Sequence, residues 1–301
     1  MMKYYKVFGL CFGSEILLPQ LPVCQKPLLD QVDAFIRLGP VSKEGLLKPH
    51  AKGKFCQIKP KALWLQVPGV ARFLIKDGKK IIVEPFEACD QKSLELYTLG
   101  SCLGALLHQR EFFLLHANAI CIKGHGFAFA GPSGIGKSTL AAAFHKRGYS
   151  LLTDDICVIN HKGEILPGIP QIKLWQDSAD FLNIPTHKLS TLRPQISKYG
   201  LPIPKSFSQT PVPLRGIYLL ATSESDLIKI EFLKKMEKLI PLKENIYRHQ
   251  YLEGLGLSEK SFAQCCQLIN QISIKKLVRP QGSFQLEPLI DFILKKELHS
   301  I

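Results

Sequence analysis

The run Gly131-Pro132-Ser133-Gly134-Ile135-Gly136-Lys137-Ser138-Thr139 holds the densest chemistry in the chain. It fits the spacing G-x-x-x-x-G-K-[ST]. A triphosphate needs many N–H donors within a few ångströms, so the backbone must wrap tightly. Gly131, Gly134 and Gly136 permit such a path because they lack a Cβ. Successive amides form a nest for anions, and the positive end of the following helix reinforces it. Lys137 then offers a point charge to β- and γ-phosphates, and Ser138 offers a hydroxyl to Mg²⁺. These residues predict ATP and Mg²⁺ as ligands. The bland alternative is a glycine-rich turn that binds nothing.

Asp154 and Asp155 follow Lys137 by 17 and 18 residues, which is one helix and one strand later. In a parallel sheet this spacing sets their carboxylates at the C-terminal strand edge, beside the loop. Two acids there can divide the labour. One can hold Mg²⁺ with Ser138, while the other accepts the proton of an attacking hydroxyl. An Asp-Asp surface turn is the alternative. His116 ends the apolar run Phe112-Phe113-Leu114-Leu115, 15 residues before Gly131, and by itself reads as an ordinary core or surface histidine.

The elements around these residues follow from composition. Gly126 to Ala130 reads as a short apolar strand that runs into the loop. Leu140 to Arg147 reads as a helix with Gly148 as its stop. Leu151-Leu152 and Ile156 to Ile159 flank the acidic pair as strands, and Gln171 to Trp175 is another. Residues 1–110 read as a β-rich domain, with a hairpin at Asp77-Gly78 and a closing helix from about Gln91 to Gln109. In that helix Gly100 and Gly104 allow close packing. Residues 111–235 form the core that carries the loop, and 236–301 read as mostly helical. The proline-rich stretch 183–213 reads as an exposed connection, a candidate lid or substrate loop.

A net charge of +14 raises the question of nucleic acid. The excess is spread along the chain, with no run of more than two consecutive Lys or Arg, so neither a nucleic-acid face nor a membrane surface is expected. No stretch approaches ~18 apolar residues, and the first residues lack a signal-peptide pattern. A cytoplasmic location is the expectation. Nine cysteines without any C-x-x-C read as reduced thiols.

Leu115-His116, Gly126 to Ala130, the loop 131–139, Arg147-Gly148 and Leu152-Thr153-Asp154-Asp155 together resemble the catalytic domain of HPr kinase/phosphorylase. The resemblance covers residues 112–160 well and extends loosely to 235. It implies an α/β fold, a P-loop kinase core of the HPr kinase and phosphoenolpyruvate-carboxykinase type, with the β-rich N-terminal region and helical C-terminal segment added. It also implies a serine kinase using ATP and Mg²⁺. By the resemblance His116 lies at the active site, Lys137 contacts phosphate, Ser138 binds metal and Asp155 accepts the proton. The family's later acidic, glycine-rich signature has no counterpart: the region reads Ile165 to Trp175, and no second metal carboxylate is assigned. The whole chain is most similar to divergent members found beside peptide-modification genes, including lasso-peptide clusters. The partner this implies is a protein or peptide bearing an acceptor serine, and relatives of the fold assemble as homo-oligomers. Two other readings stay open. One is a kinase of a small hydroxylated metabolite; the other is a nucleotide-binding regulatory module without transfer activity. No LSGGQ-like stretch points to an ABC-type ATPase, and no N-K-x-D motif to a G-protein.

Overall fold

Asp77 and Gly78 have φ of 56° and 61°, and they turn strand Ala71–Lys76 back onto Lys80–Pro85 as the hairpin signal predicts. Ala71, Phe73 and Ile75 alternate into the core with Ile81 and Val83 opposite. This period of two fixes the register, because a one-residue slip would expose the whole apolar set. The hairpin lies within a sheet of order Lys3–Val7, Leu10–Ser14, Ala34–Leu38, Lys80–Pro85, Ala71–Lys76, Ala62–Val67, Cys56–Lys59, Ala51–Lys52. In the computed structural model, which describes residues 1–281 and 285–298 of a mixed α/β chain, that sheet belongs to one of two units. The first unit takes Met1–Leu114, Thr191–Lys198 and Tyr247–Ala263; the second takes Leu115–Ser190, Tyr199–Ile246 and Gln264–Ile301.

The first unit gathers its later segments through specific contacts. Arg193 donates to the Tyr97 hydroxyl at 3.1 Å, and Lys92 to Thr191 Oγ1 at 3.2 Å. Gly254 sits so close to Ile58 that an added Cβ would meet its Cβ at 2.6 Å. The predicted helix is present as Gln91–Tyr97 and Leu103–Gln109, joined by a π turn over Thr98–Cys102. Asp90 caps its start by accepting from Ser93 N–H at 2.8 Å. Gly104 packs directly under Tyr247, whose ring a Cβ would meet at 2.7 Å. One turn on, His108 is 3% exposed, and its Nε2 lies 2.7 Å from the Tyr247 carbonyl oxygen. A carbonyl only accepts, so Nε2 carries the proton.

In the second unit a two-residue turn, Lys123-Gly124 with φ of 47° and 78°, joins Ala117–Ile122 to His125–Ala130 as an antiparallel hairpin. The sheet then runs Ser150–Thr153, Ala117–Ile122, His125–Ala130, Val212–Ser223, Ser273–Pro280 and Lys229–Phe232. His125–Ala130, Val212–Ser223 and Ser273–Pro280 are parallel neighbours. The acidic pair was expected beside the loop in a parallel sheet. The observed sheet is mixed, because the hairpin inserts an antiparallel strand between Ser150–Thr153 and His125–Ala130. The stretch read as mostly helical holds helices Lys235–Glu244, Tyr251–Leu255, Ser258–Gln271 and Leu286–Leu298, and adds strand Ser273–Pro280 between the last two. Its cross-strand pairing on both sides outweighs a weak local pattern. The proline-rich stretch is more ordered than a plain connection, since its strand Lys198–Pro202 pairs with Gln171–Trp175.

Helix Lys137–Lys146 covers this sheet with Leu140, Ala141 and Phe144. Phe129 stacks on Tyr218 with ring centroids 5.4 Å apart and meets Phe144 at 5.8 Å. Gly148, at φ 85°, ends the helix as predicted, with Tyr149 N–H returning to the Phe144 carbonyl. No helix among the described residues is long and apolar enough to cross a membrane.

His108 generates a stability prediction. Burial pushes its imidazole down to about 4 from the ordinary 6.5, against the opposing pull of the Tyr247 carbonyl. The unfolded chain therefore takes up a proton between those values that the folded chain refuses. Stability from this group is complete above pH 6.5 and declines as pH falls toward 4. The total loss is roughly 3 kcal/mol. Urea midpoints of wild type and His108→Gln, compared at about pH 7.5 and 4.5, should show a smaller acid-side drop in the variant.

Candidate active site

An antiparallel strand starts where its parallel neighbours end. His125–Ala130 ends at Gly131, Ser150–Thr153 ends at Asp154, and Ala117–Ile122, running the other way, starts just after His116. Three separate stretches of sequence thus meet at one edge of the sheet. Strand Ser273–Pro280, parallel to Val212–Ser223, delivers Arg279 to the same edge.

The loop itself depends on its glycines. Gly131, Gly134 and Gly136 have φ of 153°, 84° and 101°. At Gly131 an added Cβ would also meet the Leu220 carbonyl at 3.1 Å. Pro132, Ser133 and Gly134 are exposed at the crest, with Ile135 and Gly136 half-buried below them. Lys137 is buried and folds back over the loop, donating to the Gly131 and Pro132 carbonyls at 2.7 and 3.0 Å. Arg279 donates to the Ile135 carbonyl at 3.0 Å. From beneath, buried Asn118 donates its Nδ2 to the Lys137 carbonyl, while its Oδ1 has no partner among the described residues. Thr139 turns away from the crest and donates to Ser178 Oγ at 2.9 Å.

The two acids have different surroundings. Asp154 is 6% exposed. It accepts the Ser138 hydroxyl at 3.1 Å and the Lys173 backbone N–H at 2.8 Å. Burial pushes its carboxyl above the ordinary carboxylate range, against the pull of the Lys173 N–H. Asp155 holds φ of 77°, a left-handed conformation that strains most residues but that Asp and Asn tolerate. Its Oδ2 accepts Lys173 Nζ at 2.7 Å, and its Oδ1 lies 3.2 Å from His116 Nδ1. His116 Nδ1 is also 3.1 Å from the Asp155 carbonyl. Both partners only accept, so Nδ1 carries the proton. Burial alone would raise the Asp155 carboxyl, yet the Lys173 ammonium and the His116 ring outweigh it and hold it well below the carboxylate range.

The structure therefore brings together Lys137, Ser138, Asp154, Asp155 and His116, the residues singled out from sequence. The contacts run His116–Asp155–Lys173–Asp154–Ser138 without a gap. Lys173, Asn118 and Arg279 were missed. Lys173 left a signal, a lone charge between buried Ile172 and Leu174. Asn118 left a similar one in an otherwise apolar strand. Arg279 left none once its strand went unrecognised. Among the described residues no three His, Cys, Asp or Glu side chains gather at one point to hold a metal. What the site offers a hard cation is the oxygen pair of Ser138 and Asp154. That donor set fits Mg²⁺, which keeps several waters and takes one or two carboxylates.

No family model matches the chain. A stretch of 60 residues is 38% identical to the HPr kinase/phosphorylase of Chlorobium limicola, covering 20% of this chain and 17% of that protein. The chain thus matches about a sixth of that relative's length. Among solved structures, the Hpr(Ser) kinase/phosphatase from Coxiella burnetii aligns with 62% of this chain and 91% of its own, at 14% identity and a TM-score of 0.33. Over its matched stretch the chain is similar to a kinase/phosphorylase.

Proposed function

We propose that this chain is an ATP-dependent phosphotransferase that moves the γ-phosphoryl group of ATP to a serine hydroxyl of a protein or peptide. The observation that carries the reading is the placement of Asp155, flanked by His116 and Lys173, at the edge where the glycine loop opens helix Lys137–Lys146. Its support is threefold: the loop supplies amides and Lys137 for phosphate, Ser138 and Asp154 supply oxygens for Mg²⁺, and the similarity to HPr kinase/phosphorylase agrees with both. When bound, Mg²⁺ would supply positive charge against the phosphate oxygens.

The chain's own residues account for the rest. Lys137 gives up its loop carbonyls and turns to the β- and γ-phosphates. Arg279 steadies the crest through Ile135. The acceptor Oγ–H attacks the γ-phosphorus. A P–O bond forms to the serine oxygen, the bond to the bridging oxygen breaks, and its electron pair stays on ADP. The serine proton passes to the Asp155 carboxylate, which His116 aims through Nδ1. Positioning and electrostatic stabilisation supply most of the acceleration in such loose transition states.

Two variants test the assignment. Lys137→Ala should keep its circular dichroism yet lose transfer by ~10² or more, because one charge-assisted contact to developing phosphate charge is gone. An active, folded variant would overturn the central claim.

Asp155→Asn is the sharper probe, since asparagine tolerates the same φ of 77° and keeps the size of the side chain. It cannot take the proton. Transfer to a serine peptide should fall by about 10²–10⁴, while calorimetry finds ATP·Mg²⁺ affinity unchanged or tighter. Collapse of affinity with an unchanged rate per bound ATP would make Asp155 a metal ligand instead. If neither quantity moves, Asp155 is not the base and the acidic pair carries no role in transfer.

A further inference from the structure

Lys173 touches both acids, and the proposed reaction leaves its ammonium without a task. Its Nζ lies 2.7 Å from Asp155 Oδ2, and its side chain is 13% exposed. A more strongly charged anion within reach would compete for that ammonium.

The backbone shows where that competitor lies. One oxygen, Asp154 Oδ2, accepts Lys173 N–H at 2.8 Å and Ser138 Oγ–H at 3.3 Å. Those two bonds through a shared atom place Lys173 N within about 6 Å of Ser138 Oγ. An extended lysine spans about the same distance from Cα to Nζ. Ser138 follows Lys137 at the first turn of the helix whose amino end faces the loop. The Lys173 backbone is thus fixed beside Ser138, and its side chain is long enough to reach either Asp155 or the helix start that follows the glycine loop. Strand pairing with Lys198–Pro202 holds that backbone, and Gly200 lies close enough to Gln171 that a Cβ would meet its Nε2 at 2.1 Å.

We infer that Lys173 is a second phosphate-contacting cation, one that leaves Asp155 for the γ-phosphate when a nucleoside triphosphate binds. The inference rests on the phosphotransfer reading. A diphosphate has no γ-phosphate to draw Lys173 away, so with ADP bound the Asp155 carboxylate stays neutralised. The chain would in this way discriminate ATP from ADP at the base as well as at the loop.

The test compares calorimetric affinities for the β,γ-imido analogue of ATP and for ADP, both in excess Mg²⁺. Lys173→Met should weaken the triphosphate analogue by about 10- to 100-fold, the worth of one charge-assisted bond to phosphate, and ADP by no more than ~3-fold. Lys173→Arg should recover most of the triphosphate preference. Asp155→Asn should raise the preference, because Lys173 then has no rival partner. Adding Lys173→Met to Asp155→Asn should abolish that rise; this double variant also avoids leaving one buried charge unpaired, so it remains informative if the single variant folds poorly. Equal weakening of both nucleotides, or no change in either, would overturn the inference and leave the Lys173 ammonium as an ion-pair partner of Asp155. If wild type binds neither nucleotide, the phosphotransfer reading fails and the inference fails with it. If wild type binds the triphosphate but transfers nothing to serine, the acceptor assignment fails while the Lys173 comparison still decides.

Discussion

Two carboxylates adjacent in the chain, one buried and the other half-buried, cannot carry two negative charges without compensation. Asp154 and Asp155 meet that constraint through Lys173. The backbone N–H of that residue serves one acid and its ammonium serves the other, so a single strand position separates their characters. Asp154 is left buried and reluctant to ionise; Asp155 is held firmly ionised. The arrangement needs strand Gln171–Trp175 to stay where it is, and its pairing with Lys198–Pro202 meets that need.

The second constraint is directional. Catalytic groups gather at the C-terminal edge of parallel strands because loops and helix amino ends open there. This sheet adds one antiparallel strand, Ala117–Ile122, through the Lys123-Gly124 turn. Its start is therefore level with the ends of its neighbours, and His116 reaches Asp155 although 39 residues separate them. Behind this edge, Phe129, Tyr218 and Phe144 pack ring against ring. The strand entering the loop and the helix leaving it are thus fixed to the same core, which keeps the loop's ends apart at a set distance. Asn118 adds a hydrogen bond under the first helical turn. A loop with three glycines would otherwise have too much freedom to hold one geometry.

Local residue chemistry made much of the candidate site readable. Gly131, Gly134, Gly136, Lys137 and Ser138 lie within one run of eight residues, so their spacing alone predicts a wrapped loop at a helix start, and the chain folds that way. The hairpin at Asp77-Gly78, the stop at Gly148 and the close approach at Gly104 were legible for the same reason: each depends on a few neighbouring residues and a backbone angle or an absent Cβ. What the sequence left open depended on contacts between distant segments. Nothing local marks Ser273–Pro280 as a strand; it becomes one because Val212–Ser223 and Lys229–Phe232 pair with its two edges, and only then does Arg279 arrive at Ile135. Nothing local says which acid of a pair is held charged; that is decided by Lys173, 18 residues away, whose side chain alternates to the site face of its strand. Spacing along a chain determines which groups a turn or a helix can bring together, whereas the electrostatics of a site depend on which strands become neighbours, and that choice belongs to the whole sheet.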